Sequence, residues 1–230
     1  MGKPACLFRF SPAFVMAVAA SLVCGASLAA ERSLRIDDFE HGLRKGWGVK
    51  RFKDATVYTV VREGSGHVLR AESNAAASAL IFKIEYALDE YPILTWRWKV
   101  ENTISGGDET RKSGDDYAAR VYVVFPGWVP SKTRSVNYIW ANRLPRDAHA
   151  PNPFFAGAVM LAAESGPARV GTWVTERRNV LQDYRRIFGE DPPRAGALAL
   201  MTDTDNTGGS AVAYYDDSRL ERDDRGDPSE

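Results

Sequence analysis

The chain's most chemically suggestive stretch is 201–220, MTDTDNTGGSAVAYYDDSRL. Asp203, Asp205, Thr207 and Gly208 occupy positions one, three, five and six of a calcium-loop pattern, in which alternate oxygens turn inward and glycine takes the sharp bend. Position twelve, a bidentate carboxylate in the helical version of that loop, is Tyr214. Two carboxylates and a hydroxyl would then need carbonyls or water to complete a shell. The same side chains can instead fold the turn by accepting backbone N–H bonds. Asp203 and Asp205 are therefore candidate calcium ligands and candidate ligand-binding groups, with a purely structural turn as the alternative.

Asp115 and Asp116 form a second carboxylate pair, at the start of a strand, with Arg120 four residues on. Adjacent strand residues point to opposite faces, so one of the two carboxylates can reach a cleft as a base or ligand. A solvated ion pair with Arg120 is the simpler alternative. Glu176, beside Arg177 and Arg178, is a further candidate acid or base. His41, His67 and His149 are isolated, and no zinc, nucleophile-elbow or phosphate-loop motif is present. Among the aromatic residues, Trp128 (flanked by Gly127 and Pro130) and Trp140 are expected to be exposed and to stack on the apolar faces of sugar rings.

These groups need a scaffold, and the pattern is that of an all-β protein. Short alternating runs separated by Gly, Asn, Asp and Pro predict strands over 56–63, 67–73, 79–84, 93–100, 119–125, 136–141, 159–163, 172–178, 197–201 and 211–220. In 94–100 the alternation is strict, placing Leu94, Trp96, Trp98 and Val100 on one face and Thr95, Arg97 and Lys99 on the other. One segment breaks the rule: Leu181, Tyr184 and Phe188 recur at three and four, Asn179 can cap the start, and Gly189 with Pro192 and Pro193 ends it. A short amphipathic helix over 179–188 follows. Two long polar or Pro-rich loops, 101–117 and 142–155, are candidate functional loops by their length.

The first residues carry Lys3 and Arg9, then an apolar run of about ten residues, then Ser27 and Ala29 before a small-residue cleavage position. This reads as a signal peptide over 1–29, too short to span a bilayer, and places the protein in the periplasm or outside the cell with no transmembrane anchor. Cys6 and Cys24 both lie within it, so disulfides, thiolate metal sites and cysteine nucleophiles are excluded from the mature chain. The chain has 30 basic and 30 acidic residues, and loss of Lys3 and Arg9 leaves a net charge of −2. Nothing in that balance suggests a nucleic-acid partner. One β-sandwich domain over 33–220 and a disordered charged tail over 221–230 complete the expected organisation.

The opening residues Ile36 to Glu40 with Gly46 and Trp47, and the closing residues Tyr214 to Leu220, resemble the first and last strands of jelly-roll carbohydrate-binding modules. The resemblance implies a two-sheet jelly-roll sandwich and a structural calcium held by Glu40 and Asp217; Ser218, where an apolar residue is usual, departs from it. Across nearly the whole mature chain the sequence also resembles the secreted bacterial family known as domain of unknown function 3047. That resemblance rests on 96–100, on 112–117 running into 120–125, on 176–180 with Asp183 and Tyr184, and on 201–208. It brings no activity with it.

The leading expectation is a module that binds a glycan or similar polyhydroxylated envelope polymer. The alternatives are a hydrolase or lyase using Asp115 or Asp116 with Glu176, whose carboxyls would have to face one another across a cleft, and a structural envelope protein docking through the tip Pro153-Phe154-Phe155. The oligomeric state is not legible in the sequence.

Overall fold

The computed structural model describes residues 32–223. Thirteen strands build two sheets. The first contains β1 (Ser33–Asp37), β3 (Val57–Glu63), β4 (Gly66–Asn74), β6 (Ile93–Val100), β11 (Val174–Asn179) and β13 (Ser210–Glu221), in the order β11-β6-β13-β4-β3 with β1 also paired to β13. The second contains β2 (Trp47–Lys53), β5 (Ala77–Tyr86), β7 (Tyr117–Phe125), β8 (Arg134–Ala141), β9 (His149–Pro151), β10 (Ala158–Ser165) and β12 (Ala195–Asp203), in the order β2-β5-β12-β7-β8-β10-β9. Among the described strand pairs, β8 and β10 alone run parallel. The result is the expected β-sandwich of jelly-roll type, with one α-helix among the described residues, α1 (Val180–Phe188).

All ten expected strands lie within or overlap observed ones; β1, β2 and β9 are additional. Strand β13 continues to Glu221, one residue into the stretch expected to be disordered tail, and Glu221 pairs with Ile93 and Ser33. Residues 224–230 of that tail and the expected signal peptide lie outside the described residues. No helix among the described residues is long and apolar enough to cross a membrane.

Between the sheets the core is aromatic. Trp96 and Trp98 project from one face of β6, as their spacing dictates, and meet edge to face at 5.3 Å between centroids. Across the layer, Trp96 packs on Tyr138 at 5.2 Å and Trp98 on Trp140 at 5.8 Å. Each ring buried this way contributes on the order of 1.5 to 3 kcal/mol. Trp140 is thus a core filler and not the exposed stacking ring expected from the sequence. Val136, Tyr138 and Trp140 alternate on the inward face of a central strand, and Trp140 Nε1 donates to the Gly166 carbonyl at 3.1 Å.

The helix forms where its caps dictate. Asn179 Oδ1 accepts the Gln182 N–H at 2.9 Å, and Gly189 takes the left-handed conformation (φ 70°) that closes the last turn. Its apolar side packs Tyr184 against Phe125 at 4.7 Å, covering one end of the sandwich.

Candidate functional site

The outward face of the seven-stranded sheet carries a cleft of about 590 Å³. Its floor comes from alternate residues of the central strands: Met201 and Asp203 of β12, Arg120 and Tyr122 of β7, Asn137 of β8 and Met160 of β10. Two steps along β12, from Met201 to Asp203, match three along β7, from Arg120 to Tyr117. This bulge lets Tyr117 and Arg120 share the outward face, which strict alternation would forbid.

Arg120 is buried although it faces away from the core, because loops roof it over. Its Nε donates to Asp203 Oδ1 at 2.7 Å, a second guanidinium nitrogen meets Asp203 Oδ2, and its Cζ lies 4.3 Å from the Tyr117 ring centroid. Burial opposes the positive charge, but Tyr122, Asp115, Tyr117 and Asp116 outweigh it and raise the pKa above the usual arginine value. Arg120 therefore pairs with Asp203, and not with Asp115 or Asp116 as its spacing suggested.

The two adjacent aspartates divide their work between two loops. Asp115 accepts from Tyr117 Oη at 2.9 Å and from Asn152 Nδ2 at 2.7 Å, fixing the 142–155 loop over the cleft. Asp116 accepts the backbone N–H groups of Asn206 at 3.1 Å and Thr207 at 2.6 Å, so it organises the loop after β12. Glu109 joins the two long loops by accepting the N–H groups of Asn142, Arg143 and Leu144 at 2.5, 3.2 and 3.1 Å. Both long loops are thus tied to the cleft.

Exposed rings stand at the rim. Phe52 on β2 is 57% exposed and Phe154 is 56% exposed, each with a lysine beside its face: Lys50 Nζ at 5.1 Å and Lys112 Nζ at 5.2 Å. Sequence reasoning missed Phe52 as a site residue; its place on a basic edge strand was the available signal. Trp128 is exposed as expected but lines a different depression.

Asp116, Asp203 and Asp205 present carboxylate oxygens that all lie within 4.8 Å of one another, the only such trio of acidic, His or Cys groups among the described residues. Burial and the nearby Asp116 raise the Asp205 pKa. The donor set is not free for a cation as arranged: Arg120 engages both oxygens of Asp203, and backbone N–H groups engage both of Asp116. Of the other expected calcium ligands, Glu40 accepts the His67 N–H at 3.2 Å and Asp217 accepts from Arg219 Nη2 at 2.5 Å. Asp217 sits at a bulge of β13 with φ 51°.

A family model for a protein of unknown function, DUF3047, matches residues 45–219. The chain belongs to that family. No curated protein matches the sequence. Among solved structures, the chain is similar to the family 11 carbohydrate-binding module of the cellulosomal cellulase Lic26A-Cel5E of Clostridium thermocellum, at 11% identity over 83% of this chain and 95% of that one, with TM-score 0.46. It is also similar to the xyloglucanase domain of NopAA, a type three effector from Sinorhizobium fredii, at 9% identity over 79% and 94% with TM-score 0.45. The family 11 xylanase from Neocallimastix patriciarum matches at 11% identity over 85% and 97% with TM-score 0.39.

Of the residues that carried the DUF3047 resemblance, 96–100 lie in β6 with Trp96 and Trp98 in the core, and the others fall into two groups in space. The segments around 112–125 and 201–208 build the cleft. Glu176, Arg178, Asn179 and Asp183 gather instead around the start of α1, where Arg178 clamps Asp183 with Nε and Nη2 at 3.1 and 3.0 Å and Tyr138 Oη donates to Asp183 at 3.0 Å. Glu176 points between the sheets, toward Glu164 of β10; Arg146 reaches both carboxyls, at 3.7 and 3.5 Å. Asp115 lies in the outward cleft and Glu176 is not among the residues lining it. Asp115 and Glu176 therefore do not line one cleft, and Asp116 is engaged by the backbone N–H groups of Asn206 and Thr207.

Proposed function

We propose that this protein is an exported binding module whose cleft holds a glycan or similar polyhydroxylated ligand. The observation that carries the reading is the arrangement of the cleft itself. Exposed phenylalanine rings at the rim lie over a floor that ends in a fixed set of polar groups, Arg120, Asp115, Asn152 and Asp205. Rings of this kind cover the apolar faces of sugars, and convergent donors and acceptors read their hydroxyls. Because Arg120 is already held by Asp203, and Asp115 and Asn152 by each other, little ordering is lost when a ligand arrives.

A glycan array with envelope and exopolysaccharide fractions tests the reading, with Phe52→Ala and Phe154→Ala alongside the unaltered protein. Binding that falls about tenfold in either variant is the expected result, corresponding to about 1.4 kcal/mol. Absence of binding to every fraction, or binding indifferent to both substitutions, would overturn it.

A further inference from the structure

A second depression, of about 610 Å³, lies where the end of β7, the start of β8 and the end of α1 meet. Trp128 stands over it, 86% exposed. The ring is carried on a fixed turn: Lys132 N donates to Val129 O at 2.9 Å, Thr133 N to Pro130 O at 3.1 Å, and Gly127 N to Thr133 Oγ1 at 3.3 Å. A tryptophan so exposed forgoes its burial energy, and a rigid mount keeps its face ready for a partner. Beneath it, Arg134 pairs with Glu190 and stacks 4.8 Å from the Phe188 ring centroid, so hydrogen-bonding groups and an apolar surface lie side by side.

The two depressions share one wall. Phe154, Phe155 and Ala158 face the cleft, while Ala156 and Gly157 of the same turn face the second depression. The neighbouring residues Ser135 and Arg134 are divided in the same way. The turn is pinned to β8 by Ser135 N donating to Gly157 O at 2.9 Å, and Gly157 has no room for a side chain, since a Cβ there would approach the Phe155 ring to 2.6 Å. The place a side chain would take at Gly157 is filled by the Phe155 ring, so the divide between the two depressions carries a partly exposed aromatic ring.

We infer that the cleft continues across this turn into a second subsite built on Trp128, Arg134 and Glu190, and that the ligand is an extended polysaccharide chain held at both. The inference rests on the glycan-binding reading of the cleft. It predicts affinity that grows with chain length and a Trp128 contribution seen only with long chains.

The test is calorimetric titration of the full chain, of Trp128→Ala and of Phe154→Ala with cello-, xylo- and alginate-oligosaccharides from disaccharide to octasaccharide. In the series that binds, Trp128→Ala should weaken the octasaccharide about tenfold and leave the disaccharide unchanged, whereas Phe154→Ala should weaken both. Affinity independent of length and of Trp128, with Phe154→Ala still harmful, overturns the second subsite and leaves the cleft reading standing. Failure of every series to bind overturns both. Trp128 makes no core contact that folding needs, so its loss tests the subsite directly.

Discussion

Arg120 and Asp203 face one another across neighbouring strands as a two-pronged ion pair whose side chains are only 6% and 1% exposed, on the outward face of the sheet. A pair hidden from water on the face that should be wet exists because the loops tied down by Asp115, Asp116 and Glu109 close over it. Its energetics are those of a buried pair: breaking it leaves one charge uncompensated, while removing both charges is tolerated. Asp203→Ala should cost about 3 to 5 kcal/mol in urea unfolding, and the double variant Arg120→Met, Asp203→Leu should recover most of that loss. A single variant losing under about 1 kcal/mol would contradict this picture.

Calcium and Arg120 compete for the same carboxylate oxygens. With Arg120 in place, adding millimolar calcium after EDTA treatment should leave the melting temperature unchanged. Arg120→Gln removes the fixed cation beside Asp116, Asp203 and Asp205, whose carboxylate oxygens lie within 4.8 Å of one another in the unaltered protein. Calcium should then raise the melting temperature, because a ligand that binds only the folded state stabilises it in proportion to its occupancy. A calcium-dependent melt in the unaltered protein would mean that the loop opens to take the ion despite Arg120.

The legibility of this fold follows from which forces are local. Strict alternation in β6 and β7 places Trp96, Trp98, Val121 and Val123 inward because the side-chain period of a strand is two. The helix start at Asn179 is legible for the same reason, since a cap is a contact between residues three apart. Trp140 was misplaced because nothing in its own neighbourhood distinguishes an inward tryptophan from a stacking one; the rings that decide it, Trp98 above all, come from the other sheet. The bulge that turns Tyr117 and Arg120 to one face, the Glu109 carboxylate that clasps residues 142–144, and the Glu164–Glu176 approach all join distant segments. The composition of 201–208 marked a site, but its role in holding Arg120 depends on residues some eighty positions earlier.

The helix cap offers an independent check on packing at the closed end. Asn179→Ala removes the acceptor for Gln182 N–H and should cost about 1 kcal/mol of global stability. Because α1 carries Asp183 into its contacts with Arg178 and Tyr138, faster amide exchange should spread from residues 180–183 to the end of β11. Exchange confined to the first turn would show that Arg178 and Asp183 hold the helix without its cap.

Glu176 makes stability fall as the pH rises. Burial first, and then the neighbouring Glu164, raise its carboxyl to about 7, against a partly offsetting attraction from Arg146. Its unfolded value is about 4.3. Between these values the folded chain keeps a proton that the unfolded chain releases, so this group's contribution is full below about 4.3 and is lost as the pH rises through about 7. Asp216, pushed up to about 6 chiefly by burial, adds a slope of the same sign at lower pH. Glu63, where burial raises the carboxyl but the hydrogen bonds from Lys99 and Trp173 outweigh it, and Asp147, lowered by Arg178, slope the opposite way. The discriminating measurement is therefore the difference between the unaltered protein and Glu176→Gln. Glutamine stays neutral, so it should have little effect near pH 4 and stabilise by on the order of 2 to 3 kcal/mol at pH 8, as long as Arg146 keeps its hold on Glu164. Equal pH profiles for the two proteins would show that the Glu176 carboxyl carries its charge at neutral pH and that Arg146, together with the Arg169 partner of Glu164, compensates the pair in full.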